Sequence, residues 1–544
     1  MKQPHPTPRR ESSQETSASN VVSSDTGSDG AVSDGARSGA TATNGAVSDG
    51  RTSDGATDTA MPDGAASGTA TFDGTTSETA TSGTTTSRAV TASRKVTAER
   101  PATSGRSVAA SRPARPVYQS PIAVWVCWLL ANIFQLWIVA TYRWGTEDLS
   151  YYRNGSLLSG PFGEHIVGIG GSPTPLSEYP DVGVWPIRAV KAVADGLAPG
   201  SETAFFLIFA LACCLLGALF TGYLLRLGRF LGAWTWVGVS FAIGPILLTR
   251  LDLIPGLAVG VGVAVVLSHP RVAGALLAFA TASKLWPGVL AVALVDRWNA
   301  RGTWQRLGFF ALTLAALVGI TTVTEGFERV ISPLTYQDVR GLQVESIAAT
   351  PFTFLSAIDD RWEINLSSSK SYEVTGPGVE LAMHAATAVM ALTLLLGVYI
   401  ALRHFLRGGW NTERALAAAT MLVALLLLGN KVFSPQYVLW LAPLICLAMP
   451  ARIGRREVRG EGARWRDVLL DTSEGAPLVL GVLTVIIAGL SFLVFPISYG
   501  WLVSSGPAGI PASILVVRNL LCILVAVIVV RWWLRVSRPG AQVV

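Results

Sequence analysis

The 544-residue chain is half hydrophobic and only 14% charged, with 42 Lys and Arg against 36 Asp and Glu, for a formal net charge of +6. Charge this sparse argues against a water-soluble domain with a charged coat, and arginines confined to short loops between apolar runs exclude nucleic-acid binding as their purpose. The five cysteines, Cys127, Cys213, Cys214, Cys446 and Cys522, all fall inside apolar runs. Neither a disulfide framework nor a thiolate metal site is therefore expected, and no cofactor is implied.

Residues 1–115 are built from Ser, Thr, Gly, Ala and Asp, with the hexamer GAVSDG at Gly30 and again at Gly45. Such a segment cannot bury enough apolar surface to offset chain entropy, so it is predicted to be a disordered cytoplasmic tail. Basic residues replace acidic ones from Arg88 to Arg115, just ahead of the first apolar run. From Pro121 to Val530, apolar runs of the length that crosses ~30 Å of hydrocarbon recur. The fold expected is an all-α polytopic membrane protein of about twelve membrane segments over 116–538, two of them short halves meeting near Lys284, with 539–544 as a short cytoplasmic C-terminus.

Arginine counting orients the chain. Arg226 and Arg229, Arg271, Arg297 to Arg306, Arg403 to Arg414 and Arg452 to Arg466 fall in alternate loops, which the positive-inside rule assigns to the cytoplasm together with both termini. The remaining connections then lie outside, and two of them, after spans 1 and 7 (about 142–200 and 325–378), are longer than a connection requires. In the first, VWPIRAVKAVADGLA reads as an amphipathic interfacial helix.

The outer connections hold mixed charges beside aromatics and turn formers, as loops carrying a site do. Glu147 and Asp148 follow the first span within TYRWGTEDLSYY, flanked by Tyr151 and Tyr152. Asp148 is either a helix cap or a catalytic base, with Glu147 as the fallback. Tyr179 and Asp181 lie in SEYPDVGVWP, Arg250 and Asp252 in LTRLDLIP, Lys284 in SKLWP, Arg340, Gln343 and Glu345 in VRGLQVES, and Lys431, Gln436 and Tyr437 in NKVFSPQY. The plain reading of Arg250 and Asp252 is a mutual ion pair closing a short turn; the functional one gives Arg250 a phosphate. Lys284, between two half-length apolar runs, resembles the cation of a broken-helix anion site. His384 lies near the outer end of its span, and Arg518 several residues inside the last one, where charge is costly and functional by default.

Taken in order, TEDLSYY, EYPDVGVW, LTRLDLIPGLAV, ASKLWPGVLAVALV, VRGLQVESIAATP and NKVFSPQYVLWLAPL resemble the actinobacterial polyprenyl-phosphate-mannose-dependent alpha-mannosyltransferases, integral-membrane glycosyltransferases of the C type. The resemblance covers roughly Ile122 to Arg531 and omits the tail. It implies a C-type glycosyltransferase-like bundle with an acidic base in the first outer loop, best matched by Asp148. It also implies inverting mannosyl transfer from a polyprenyl-phosphate donor to a glycolipid or lipoglycan acceptor at the outer face, without a required metal. Arg250, Lys284, Arg340 and Lys431 are then the candidates for the donor phosphate. Tyr151, Tyr152, Tyr179, Asp181, Asp252, Gln343, Glu345, His384, Gln436 and Tyr437 are the candidates for substrate contacts. Two other expectations stand beside it: an arabinofuranosyl or glucosyl transferase of the same architecture, and a secondary transporter, which the crowding of polar residues onto one face disfavours.

Overall fold

A computed structural model describes residues 116–143, 146–157, 176, 178–338, 340–367, 371–451, 475–504 and 508–538. The tail expected over 1–115, the terminus expected over 539–544 and the basic loop from Arg452 to Arg466 lie outside the described residues. The chain is nearly all helical, as the apolar runs require: a backbone without water to bond must satisfy its amides within each segment.

In chain order the helices are α1 Pro121–Tyr142, α2 Thr146–Leu157, α3 Asp181–Leu197, α4 Glu202–Arg226, α5 Phe230–Ala242, α6 Ile246–Thr249, α7 Leu253–Ala264, α8 Pro270–Ser283, α9 Arg301–Glu325, α10 Phe327–Asp338, α11 Thr350–Leu355, α12 Val379–Arg407, α13 Thr412–Gly429, α14 Val438–Ala448, α15 Gly475–Phe492, α16 Tyr499–Val503 and α17 Gly509–Val536. A 3₁₀ stretch, Trp286–Leu294, follows α8. Among the described residues seven helices are long and apolar enough to cross a membrane: α1, α4, α9, α12, α13, α15 with its extension to Ile497, and α17. Apolar α5, α7 and α14 are shorter.

The short helices are the buried ones. In α14 every residue from Val438 to Leu447 is buried, whereas α9 and α12 expose most of their apolar side chains. Small residues allow the close approach: a Cβ on Gly256 of α7 would lie 2.3 Å from the Leu439 carbonyl oxygen of α14, and one on Gly183 of α3 would lie 2.4 Å from that of Ser283 at the end of α8. At helical and 3₁₀ rises, α8 and the stretch after it are about 21 and 18 Å long, less than the hydrocarbon thickness.

The second long connection carries a small hairpin: β1 Glu363–Leu366 and β2 Tyr372–Thr375 pair antiparallel, with Glu363 opposite Thr375 and Leu366 opposite Tyr372. The backbone at Leu342 and Val344 bonds to the other edge of β2, through Val374 N–H to Leu342 O (3.0 Å) and Val344 N–H to Tyr372 O (3.0 Å). This hairpin braces the VRGLQVES segment.

Candidate active site

α1 starts at a side-chain cap, Ser120 accepting from the Ala123 N–H with Pro121 in the first turn, and stops where Arg143 adopts left-handed backbone (φ 53°). That turn is fastened by the Thr146 hydroxyl donating to the Arg143 carbonyl oxygen at 2.7 Å, and it starts α2 beside the bundle. In the first turn of α2, Asp148 is buried while its neighbour Glu147 is exposed. This excludes Glu147 as the internal carboxylate. Asp148 is not a free helix cap either: its Oδ2 meets Arg250 Nη2 at 2.5 Å.

Arg250 closes α6 in extended backbone, and Asp252 precedes α7 in helical backbone. The expected mutual pair therefore does not form, because the two side chains leave toward different elements. The Arg250 guanidinium lies over the Phe495 ring (5.5 Å to its centre), and its Nε is buried without a hydrogen-bond partner. Burial pushes the Asp148 carboxyl up to about 6, with Arg250 pulling it back and Glu147 adding to the rise.

Asp252 pairs instead with Lys284 (2.6 Å) and accepts from the Trp440 indole N–H (2.6 Å), while its Oδ2 is buried and unpartnered. Lys284 has extended backbone where α8 ends, as expected of a broken helix. Its ammonium lies 5.1 Å from the centre of the Tyr437 ring and 5.3 Å from that of Trp440; Tyr437 and Trp440 are stacked 3.9 Å apart. Beside it lies a narrow cleft, with Lys284, Ser283 and Tyr179 as its polar lining and Pro186, Leu251 and Ile254 among its apolar walls.

A third group approaches from the first long connection. The Tyr152 and Tyr179 hydroxyls are 3.3 Å apart, and the Tyr151 hydroxyl donates to Glu178 at 2.6 Å. Burial raises the Glu178 carboxyl; Tyr151, then Arg340 and Arg329, oppose the rise.

The fourth group comes from the second long connection and the last helix. Arg518, fully buried in α17, meets Glu345 Oε2 at 2.9 Å, donates to the Glu345 carbonyl oxygen at 2.7 Å, and lies over the Phe433 ring at 4.1 Å. Asn519 donates to the Thr350 hydroxyl at 2.6 Å. Gln343 Oε1 accepts from the Glu345 and Phe433 amides, and its own N–H bonds to the Lys431 carbonyl oxygen at 3.0 Å. Burial raises the Glu345 carboxyl, Arg518 opposes this most, and Arg250 is close enough to add a smaller lowering.

The structure thus brings together Asp148, Arg250, Asp252, Lys284, Tyr179, Gln343, Glu345 and Tyr437. Some roles change. Tyr152 is 1% exposed and packs against Phe209, so its face is not offered to a sugar; Tyr437 is spent on Trp440 and Lys284. Gln436 is buried against the Ser434 hydroxyl. Asp181 binds Arg188 (2.9 Å) and the Trp185 indole (2.8 Å), in a chain that continues to Glu325 of α9. His384 is 70% exposed on α12 beside Glu380 and does not join the group. Lys431 contributes its backbone, and Arg340 acts on Glu178. Phe495 and Trp440 were missed as site residues, since aromatics in apolar runs carry no signal of their own. Arg518 did carry one, a cation in the last apolar run, but nothing in the sequence identified its partner.

Comparison of the chain with protein-family models, with curated proteins and with solved structures finds no match in any of the three.

Proposed function

We propose that the chain is a membrane glycosyltransferase that moves a mannosyl residue from a polyprenyl-phosphate donor to a hydroxyl of a glycolipid or lipoglycan. Its short and long helices together make twelve passes. Both termini are cytoplasmic, and the long connections after the first and seventh passes lie outside. The acceptor oxygen attacks the anomeric carbon as its proton passes to Asp148. The bond from that carbon to the phosphate oxygen breaks on the opposite face, with inversion, and the polyprenyl phosphate leaves as an anion. Arg250 and Lys284 face the departing charge.

The observation that carries this reading is a buried carboxylate, raised to about 6, held at 2.5 Å by an arginine next to a lysine-lined cleft. A group poised near neutrality is suited to accept a proton, and a guanidinium to bind phosphate. Asp148→Asn is expected to reduce transfer by about 10²–10⁴-fold while the protein still inserts in the membrane. The assay is transfer from radiolabelled polyprenyl-phosphate-mannose in isolated membranes. Near wild-type transfer by the variant rejects the assignment.

A further inference from the structure

Resting on the proposed transfer reaction, we infer that the Asp148–Arg250 ion pair is a latch that the donor opens: the donor phosphate takes the Arg250 guanidinium and so frees the Asp148 carboxylate to act as base. The donor must then bind before the acceptor can be activated.

Three observations carry this. First, a carboxylate engaged by a guanidinium at 2.5 Å, with both side chains at most 10% exposed, is occupied rather than ready to accept a hydroxyl proton. Second, the guanidinium is held independently of Asp148 by the Phe495 ring and keeps a buried Nε–H without an acceptor. It can stay in place and change partners, and a phosphate supplies the acceptors that a guanidinium fork matches.

Third, the cluster balances its own charge. Arg250, Lys284 and Arg518 are paired with Asp148, Asp252 and Glu345, three cations against three carboxylates. An added phosphate leaves the buried group with an excess negative charge, and taking up one proton removes it. Lys284 and Arg518 hold Asp252 and Glu345 through second contacts on the same residues, the Trp440 indole for Asp252 and the Glu345 carbonyl oxygen for Arg518. Among the described residues Asp148 has no such second tie beyond Arg250, so it is the carboxylate released, and the acceptor hydroxyl is the proton source.

The groups facing this pair are Glu147 on the same helix, Tyr152 beside both partners, and Tyr179, Asp252, Glu345 and Tyr499 toward Arg250. Protonating Asp148 opens the latch without a ligand. The test is equilibrium binding, in lipid nanodiscs, of the methyl ester of polyprenyl phosphate, a phosphodiester whose single charge does not titrate between pH 5 and 8. Wild-type affinity is expected to tighten as pH falls through about 6. Asp148→Asn is expected to bind about tenfold tighter than wild type at pH 7.5 and to lose the pH dependence. Glu147→Gln, which removes a nearby charge without touching the pair, is expected to keep wild-type affinity at pH 7.5, with the midpoint of the pH dependence moved toward acid by less than about one unit. Wild-type binding that does not change with pH overturns the latch, as does an Asp148→Asn variant that folds and binds no tighter. Failure of the wild type to bind the probe at any pH rejects the donor class itself, and with it the transfer reaction.

Discussion

Consecutive residues on a helix project about 100° apart, so Glu147 and Asp148 cannot both face the bundle, and α2 turns Asp148 inward. Its titration gives a pH dependence of known sign. As the proposed base, Asp148 works deprotonated, and burial holds its value near 6, so kcat/KM is expected to rise with pH through about 6. The negative charge of Glu147 opposes ionisation of Asp148; Glu147→Gln is therefore expected to move that midpoint toward acid by less than about one unit, since the exposed charge is partly screened. With donor bound, the pull of Arg250 is shared with the phosphate, and the midpoint of kcat is expected above that of kcat/KM. A pH–rate series on reconstituted protein measures all three; a midpoint that moves toward base in Glu147→Gln contradicts the sign. Asp148 could be picked out in the sequence because charge beside the end of a span needs a reason. Its partner could not, because Arg250 and Asp252 stand two apart and only the change of backbone between them, extended at Arg250 and helical at Asp252, sends them to different partners.

At the level of elements, α17 and the VRGLQVES segment depend on each other. Arg518 in the hydrocarbon region costs roughly 2.5–3.5 kcal/mol on insertion scales, and Glu345 offsets that cost with a paired carboxylate and a carbonyl. Removing one member strands the other. Arg518→Met is expected to destabilise the protein by about 3–5 kcal/mol, read as a lower Tm of the detergent-purified protein. Arg518→Met combined with Glu345→Met is expected to recover most of that loss, because no buried charge is left alone. A double variant no more stable than the single one would show that the two side chains are not coupled. Helix existence in α17, α3 and α2 was legible from apolar runs and periodicity. The β1–β2 hairpin was not: it is two four-residue strands within a long polar connection, where alternation over so few residues is indistinguishable from irregular chain.

Across the whole described bundle, the loops make two separate sets of contacts. Loops assigned to the outside join through Asp148–Arg250, Asp252–Lys284, Gln343–Lys431 and Glu345–Arg518. Loops assigned to the inside join one another: the Trp298 N–H to the Phe405 carbonyl oxygen at 2.9 Å, Arg306 to the Val266 carbonyl oxygen at 3.2 Å, and Arg414 to the Val536 carbonyl oxygen at 2.7 Å. Which set faces the cytoplasm rests on the arginine excess alone, and a labelling experiment decides it. Four of the five native cysteines are buried and Cys127 is half-buried inside α1, so single introduced thiols report cleanly. Asp360→Cys, exposed in the second long connection, is expected to react with a membrane-impermeant maleimide on intact cells. Arg301→Cys, exposed at the start of α9, is expected to react only after permeabilisation. The opposite pattern would put the Asp148 cluster on the cytoplasmic face, where a soluble sugar nucleotide rather than a lipid-linked sugar would be the donor at hand.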